Sequence, residues 1–213
     1  AGEGLYGRYE LFLRNREAAL GSIVGASGSF YAQRRALCRP FIEGLAPDFL
    51  SVLNTVEQGS RAITEPTARG HMTAVARPGQ EFQRKVRTLL RGITTLFARP
   101  TLLNPLRYGL FTFFLWSHKL ARWLVPFLLI AALLANLALY DVGIYTLLLL
   151  LQIAFYGLAL LAWRNVAGLH EHPLGRIALF FVMVNAAILF AWIRYLKGER
   201  QELWTPTERG VPS

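Results

Sequence analysis

The stretch VGIYTLLLLLQIAFYGLALLAW, residues 142–163, contains no charged side chain, and neither do residues 123–140 (WLVPFLLIAALLANLALY) and 177–193 (IALFFVMVNAAILFAWI). These stretches are 22, 18 and 17 residues long, so as helices they cover roughly 25 to 33 Å, close to the thickness of a bilayer core. Helices buried in a large soluble protein can be as apolar, but other elements would have to cover all three. The pattern predicts about three transmembrane helices, at 120–140, 143–163 and 176–196.

The charge of the chain is unevenly distributed. Of the 213 residues 54% are hydrophobic, yet the formal charge is +10. Residues 1–122 hold 17 Lys and Arg against eight acids, and residues 123–213 hold six against five. The positive-inside tendency therefore predicts a multi-pass protein of the cell (inner) membrane with its first part in the cytoplasm.

Three crossings would put the end of the chain outside, which conflicts with four basic residues there: Arg194, Lys197, Arg200 and Arg209. One candidate for a further membrane segment is the apolar stretch 106–116, which is too short for an ordinary crossing but suits an embedded or re-entrant position. The sequence leaves this alternative open.

Several classes of protein are excluded by composition. The Arg residues occur singly or in pairs without a zinc or helix-turn-helix signature, so membrane lipids and phosphates are more fitting partners than nucleic acid. Cys38 is the only cysteine, which excludes an internal disulfide and a thiolate metal site. Asp48 and Asp141 are the only aspartates, so no site that needs two neighbouring aspartates can form, and no metal site is expected in this chain.

The first eighty residues have a mixed pattern that predicts an α/β fold. Apolar spacing predicts a helix over 5–20, and short strands are predicted at 30–33 and 59–64. Between them, Pro47 disfavours helix before it, and Asp48 can cap the helix that follows. The glycine-rich segment around Gly25 and Gly28 is either a plain loop or the wall of a ligand pocket.

Residues 81–98 predict a basic amphipathic helix. Its apolar side chains follow helical spacing, and Arg84, Arg87 and Arg91 fall on the opposite face. Such a helix either lies on anionic headgroups or presents a guanidinium pair to a diphosphate.

A succession of short motifs in this chain resembles the second half of a membrane-embedded family 2 glycosyltransferase. The resemblance covers nearly the whole chain, and the order and spacing of the motifs make it specific. The motifs are Tyr9-Glu10, Gly25-Ala-Ser-Gly28, Tyr31-Ala-Gln-Arg-Arg35, Pro47-Asp48-Phe49, Glu57-Gln-Gly59, Glu65-Pro66, Glu81-Phe-Gln-Arg-Lys-Val-Arg87, Ser117-His-Lys119, Arg122-Trp123, Pro126 and Trp204-Thr-Pro-Thr-Glu-Arg209.

The resemblance implies a helix-dominated chain whose residues 1–80 are the C-terminal part of a GT-A α/β catalytic domain. Interfacial amphipathic helices (81–119), transmembrane helices (120–196) and a polar tail (197–213) follow. The implied activity is transfer of a sugar, with inversion, from a nucleotide sugar of the UDP type to a lipid-linked or polysaccharide acceptor in biosynthesis of the cell envelope.

The resemblance also implies roles for individual residues. Asp48 matches the last residue of the family's Thr-Glu-Asp motif and is the expected general base, because an aspartate is ordinarily ionised at neutral pH and can accept the proton of the acceptor hydroxyl. The expected wall of the acceptor pocket is formed by Gly25, Ala26, Ser27 and Gly28.

The family's Gln-x-x-Arg-Trp motif matches residues 84–88, so Arg84 and Arg87 are expected to bind the donor diphosphate. Thr88 replaces the aromatic platform, which argues against processive polymer synthesis. Trp204 and Arg209 match a cytoplasmic gating segment of some relatives, which favours an inward tail and an even number of crossings.

The family's divalent metal, Mg²⁺ or Mn²⁺, is held by an Asp-x-Asp motif that two separate aspartates cannot supply. The chain is therefore expected to be a C-terminal fragment that lacks the donor and metal half and does not turn over alone. A non-catalytic membrane scaffold or accessory subunit is the alternative.

Overall fold

The computed structural model describes residues 2–28, 30–68 and 78–200, and its regular elements are all helical. The part of the chain before the apolar helices contains α1 (Gly2–Leu20), α2 (Pro47–Glu57), α3 (Pro78–Phe97) and α4 (Pro105–Tyr108). The apolar part contains α5 (Leu110–Phe114), a π-helix (Leu115–Leu120), α6 (Ala121–Ala138), α7 (Gly143–Trp163) and α8 (Pro173–Leu196). Short 3₁₀ turns occur at Arg35–Leu37, Pro100–Leu103 and Val166–Gly168.

The two strand predictions are wrong: residues 30–33 and 59–64 are irregular, and the described ranges contain no β-strand. Two segments do approach each other, since the Ile23 amide donates to the Ala62 carbonyl at 2.9 Å and the Ala62 amide donates to the Ser22 hydroxyl at 3.0 Å. One backbone bond does not make a ladder. The segment at 30–33 instead bonds through side chains, with Gln33 Nε2 donating to Thr55 Oγ1 on α2 at 3.1 Å.

The predicted amphipathic helix is present as α3, and its apolar face forms the centre of the hydrophobic core. Val86, Leu90, Ile93 and Leu96 repeat on one face and are at most 2% exposed. They join one cluster with apolar side chains of the glycine-rich segment, α2, the first apolar helix and α8. The core thus connects the basic first part directly to the apolar helices.

Three helical segments are long and apolar enough to cross a membrane: Leu110–Ala138, Gly143–Trp163 and Pro173–Leu196. The first begins ten residues before the predicted 120, because α5, the π-helix and α6 run on without a break. The stretch 106–116 is therefore divided. Its start lies in α4, and Gly109, with φ +50°, makes the turn after which the first apolar segment begins.

Helices α7 and α8 pack through small side chains. Ala159, Ala162 and Ala178 are at most 3% exposed. At Gly175 a β-carbon would clash with the backbone oxygen of Leu169 in the preceding loop and stand 3.3 Å from the Ala162 β-carbon. Small residues at such a contact let helix backbones approach closely, which is how apolar helices associate in a bilayer.

The C-terminal end of α8 lies beside the start of α6 and the end of α3. Trp192 Nε1 donates to the Trp123 carbonyl at 3.0 Å, and its ring is 6.1 Å from that of Phe127. Phe97 at the end of α3 contacts both Trp192 and Tyr195, with ring centroids 5.9 and 5.7 Å apart. The end of α8 therefore contacts the first apolar segment near its middle.

Candidate functional site

Asp48 stands in the first turn of α2 and is half-buried. The predicted capping role is not realised, because the N-cap residue is Ala46 and no side chain caps that end. Pro47 occupies the first helical position, where its missing N–H costs nothing. The Asp48 carboxylate is thereby left to face the neighbouring loop.

The loop that Asp48 faces is the predicted pocket wall. A β-carbon on Gly28 would lie 3.1 Å from Asp48 Oδ2, and one on Gly25 would lie 3.4 Å from Lys119 Nζ. Ala26 and Ser27 between them are half-buried. The structure thus brings together Asp48 and the glycine-rich segment, which the sequence had related only through the resemblance.

Helix α3 holds the start of α2 from the other side. The Ala46 amide donates to Thr95 Oγ1 at 2.8 Å, and Arg91 Nη2 donates to the Leu45 carbonyl at 2.6 Å. Burial lowers the pKa of Arg91, and the charge of Asp48 partly offsets that shift. The position of Asp48 is therefore determined by α3 as well as by its own helix.

Beside Asp48 a buried network joins α1 to the π-helix of the first apolar segment. His118 Nδ1 lies 2.5 Å from Glu17 Oε1, and His118 Nε2 lies 2.9 Å from Glu10 Oε1. Carboxylate oxygens only accept, so both ring nitrogens donate and the ring is an imidazolium. Arg122 Nη1 donates to Glu10 Oε2 at 3.1 Å, which balances two negative with two positive charges.

This network also touches the glycine-rich segment. The Val24 amide, next to Gly25, donates to Glu17 Oε2 at 3.3 Å. Burial alone would raise the pKa of Glu10, but the hydrogen bond with His118 and the charges of Arg122 and Lys119 outweigh it and hold that pKa well below its ordinary value. Glu10 is therefore a carboxylate fixed by its cationic neighbours.

Lys119 follows His118 and lies between the loop and α2. Its Nζ is 5.4 Å from the centroid of the Phe49 ring and close enough to Asp48 for the two charges to interact. Sequence reasoning gave His118 and Lys119 no role. The available signal was a basic dipeptide inside an apolar segment, where charged residues are costly.

Arg84 and Arg87, the two residues predicted to bind the donor diphosphate, lie on α3. Arg84 donates twice to Glu81, from Nε at 2.8 Å and from Nη2 at 2.7 Å, and Lys85 Nζ is 2.7 Å from the same carboxylate. Burial would raise the pKa of Glu81, but these two cations lower it. Arg87 is half-buried on the same helix, and its diphosphate role stays a prediction.

Two open spaces lie near these residues. A cleft of about 320 Å³ at the start of the first apolar segment is lined by residues that include Ser22, Arg61, Arg107 and Phe111. A cavity of about 50 Å³ lies behind Ala26 and reaches α2. Asp48 lines neither space, so we locate the site by the chemistry that converges on that residue.

No group of three His, Cys, Asp or Glu stands ready to hold a metal within the described ranges. Trp204 and Arg209, the predicted gating residues, lie outside those ranges.

Three apolar helices of spanning length, with a basic amphipathic helix packed on them, indicate a membrane protein. No protein-family model, curated protein or solved structure matched the sequence.

Proposed function

We propose that this chain is the C-terminal part of an inverting glycosyltransferase of the inner membrane, with its catalytic part on the cytoplasmic side. It would transfer a sugar from a UDP-type nucleotide sugar to a lipid-linked or polysaccharide acceptor. The observation that carries the proposal is the convergence of Asp48, the Gly25 to Gly28 loop and Lys119, which lies on the π-helix of the first apolar segment.

Asp48 is the general base in this proposal. It takes the proton of the acceptor hydroxyl, whose oxygen forms a bond to the anomeric carbon. The bond from that carbon to the diphosphate oxygen breaks, and the leaving nucleoside diphosphate keeps the electron pair. Attack opposite to the leaving group inverts the anomeric centre, and a positioned base typically contributes about 10² to 10⁴ in rate.

The loop and α3 are the positioning elements. Gly28 leaves the Asp48 carboxylate uncovered, since any side chain there would stand against Oδ2. The bonds from Arg91 and Thr95 to the turn before α2 hold the base in place. Such second contacts matter because a small misplacement of a reacting group can lower the rate strongly.

The described residues offer no cluster of ligands for the divalent metal, and the resemblance assigns its ligands to the half of the enzyme outside this chain. Its place in the reaction rests on the resemblance alone, and we derive no step through it. A contact between Arg84 and the nucleotide sugar also rests on the resemblance alone, because its guanidinium donates hydrogen bonds to Glu81.

The test compares the two aspartates of the chain. In membranes from cells that express the complete reading frame, sugar transfer from radiolabelled UDP-sugars is measured for Asp48→Asn and for Asp141→Asn, an exposed control. We expect Asp48→Asn to lower turnover by about a hundredfold or more with donor binding retained, and Asp141→Asn to be neutral. Full turnover in Asp48→Asn would remove it as base.

A non-catalytic scaffold or accessory subunit is the second candidate. The observation that favours it is that the Arg84 guanidinium, which was expected to bind the donor diphosphate, donates two hydrogen bonds to Glu81 on the same helix. Assay of the wild-type protein with the panel of UDP-sugars separates the two candidates, because a scaffold transfers no sugar even with both aspartates intact.

A further inference from the structure

Lys119 is a cation beside the candidate base, and within the described part of the chain its charge acts on Glu10 and Asp48 without an ion pair to either. Its ammonium is held against the Phe49 ring and beneath Gly25. Among the residues that the structure describes, no carboxylate pairs with it: the nearby Glu10 accepts from His118 and Arg122 instead. A partly buried ammonium has three donors to satisfy, which is costly without an acceptor.

The surroundings keep this ammonium in one place. The neighbouring His118 is fixed by Glu10 and Glu17, so the π-helix that carries both residues is fixed as well. Short π-helical turns within α-helices are frequent at functional sites. A β-carbon at position 25 would lie 3.4 Å from the ammonium, so glycine at this position lets the loop backbone approach Lys119 closely.

We propose that Lys119 binds a phosphate oxygen next to Asp48. This inference rests on the proposed function and deepens it, because it adds an anion subsite contributed by the first apolar segment. A compact ammonium suits phosphate as a point charge. The phosphate can be carried by a membrane lipid or by the nucleoside diphosphate.

The location favours the lipid-borne source. Lys119 is the tenth residue of the segment Leu110–Ala138, so it lies roughly 14 Å along that helix. Phe113 and Trp116, on the turn before it, are 59% and 44% exposed. A lipid phosphate could reach Lys119 while its chains remain against this apolar surface.

The experiment uses the fact that the chain has three lysines, Lys85, Lys119 and Lys197. The protein from the complete reading frame is purified in phosphatidylcholine nanodiscs and acetylated, and the rate at each of these three lysines is read by mass spectrometry. The measurement is repeated with phosphatidic acid in the bilayer, with UDP and with inorganic phosphate. Lys197 is exposed and Lys85 is paired with Glu81, so both report on reagent access.

We expect phosphatidic acid to slow acetylation of Lys119 by about tenfold with less than a twofold change at Lys197, since one ammonium contact to phosphate is worth about that factor. The same protection by UDP or inorganic phosphate, without phosphatidic acid, would assign the subsite to a soluble phosphate. Protection by none of the three would overturn the proposal.

A direct binding measurement covers the case in which Lys119 reacts too slowly to follow. Binding of ³²P-labelled phosphatidic acid and of labelled UDP is compared for Lys119→Met, Lys119→Arg and Lys197→Met. Lys119→Met should weaken one ligand about tenfold, Lys119→Arg should restore most of that affinity, and Lys197→Met should match the wild type. Equal affinity in Lys119→Met and Lys197→Met for both ligands would overturn the proposal.

Binding and turnover are read separately, so the two failures can be told apart. A chain that transfers no sugar but binds phosphate through Lys119 contradicts the glycosyltransferase proposal alone. A chain that transfers sugar with wild-type phosphate affinity in Lys119→Met contradicts the phosphate subsite alone.

Discussion

Removal of the Glu17 carboxylate is expected to destabilise the contact between α1 and the first apolar segment. Glu17 is 5% exposed, and its two oxygens accept from His118 Nδ1 at 2.5 Å and from the Val24 amide at 3.3 Å. Glu17→Ala leaves two buried donors without an acceptor, and each costs about 1 to 3 kcal/mol. Together they predict a loss of about 2 to 6 kcal/mol, which includes the range of about 3 to 5 kcal/mol for breaking a buried ion pair.

The assay is thermal unfolding of the purified chain in detergent, followed by tryptophan fluorescence. For a chain of this length, 1 kcal/mol shifts Tm by about 2 to 4 °C, so Glu17→Ala should lower Tm on the order of 10 °C. Glu17→Gln keeps one acceptor oxygen, so its Tm should lie between those of the wild type and Glu17→Ala. The control is Glu43→Ala, an exposed position without a described bond, where surface changes stay within about 0.5 kcal/mol.

Acid titration tests the same network through Glu10. Its pKa is held below the ordinary value of 4.5, so the stability that this carboxylate contributes is complete above pH 4.5 and is lost as pH falls toward the lowered pKa. The Tm difference between wild type and Glu10→Gln should therefore be constant near neutral pH and shrink below pH 4.5. Equal Tm values for Glu17→Ala and Glu43→Ala, or a difference for Glu10→Gln that grows in acid, would refute this account of the network.

Two further predictions concern the apolar helices. Gly175→Ala should lower the free energy of unfolding by about 1 to 3 kcal/mol, because its β-carbon meets a backbone oxygen. Gly157→Ala, with open space around it, should be neutral or stabilising. Thermal unfolding in detergent compares the two variants, and equal effects would contradict the packing of α7 against α8. Because three segments of spanning length lie between exposed Cys38 and Lys197, we expect Lys197→Cys to react with an impermeant maleimide from the membrane side opposite to Cys38. Labelling in sealed and opened vesicles measures this, and labelling of both residues from one side would contradict it.

Sequence reasoning was most effective where periodicity alone determines structure. The amphipathic spacing of α3 and the uncharged stretches of α7 and α8 require only the chain itself and the helical repeat. The strand predictions were wrong because a strand needs a partner at hydrogen-bonding distance. Gln33 bonds to α2 instead, and the segment at 59–64 forms one backbone bond through Ala62.

The candidate site was predictable only in part. The motif resemblance selected Asp48 and the Gly25 to Gly28 loop, which the fold places against each other. It also selected Arg84, whose nearest acid, Glu81, lies one helical turn away and engages it. A pairing at this short spacing was visible in the sequence, but no rule decides in advance between an intrahelical acid and a ligand.

The sequence by itself determined the apolar helices and the basic amphipathic helix, because these depend on residue type and local spacing. Only the tertiary structure decided that Glu10 and Glu17 of α1 bond to His118, which is distant in sequence. It also decided that Lys119 lies against Gly25 and near Asp48. The His118 contacts join residues 101 and 108 positions apart. They arise from the packing of α1 and α2 against the first apolar segment, for which no local pattern exists.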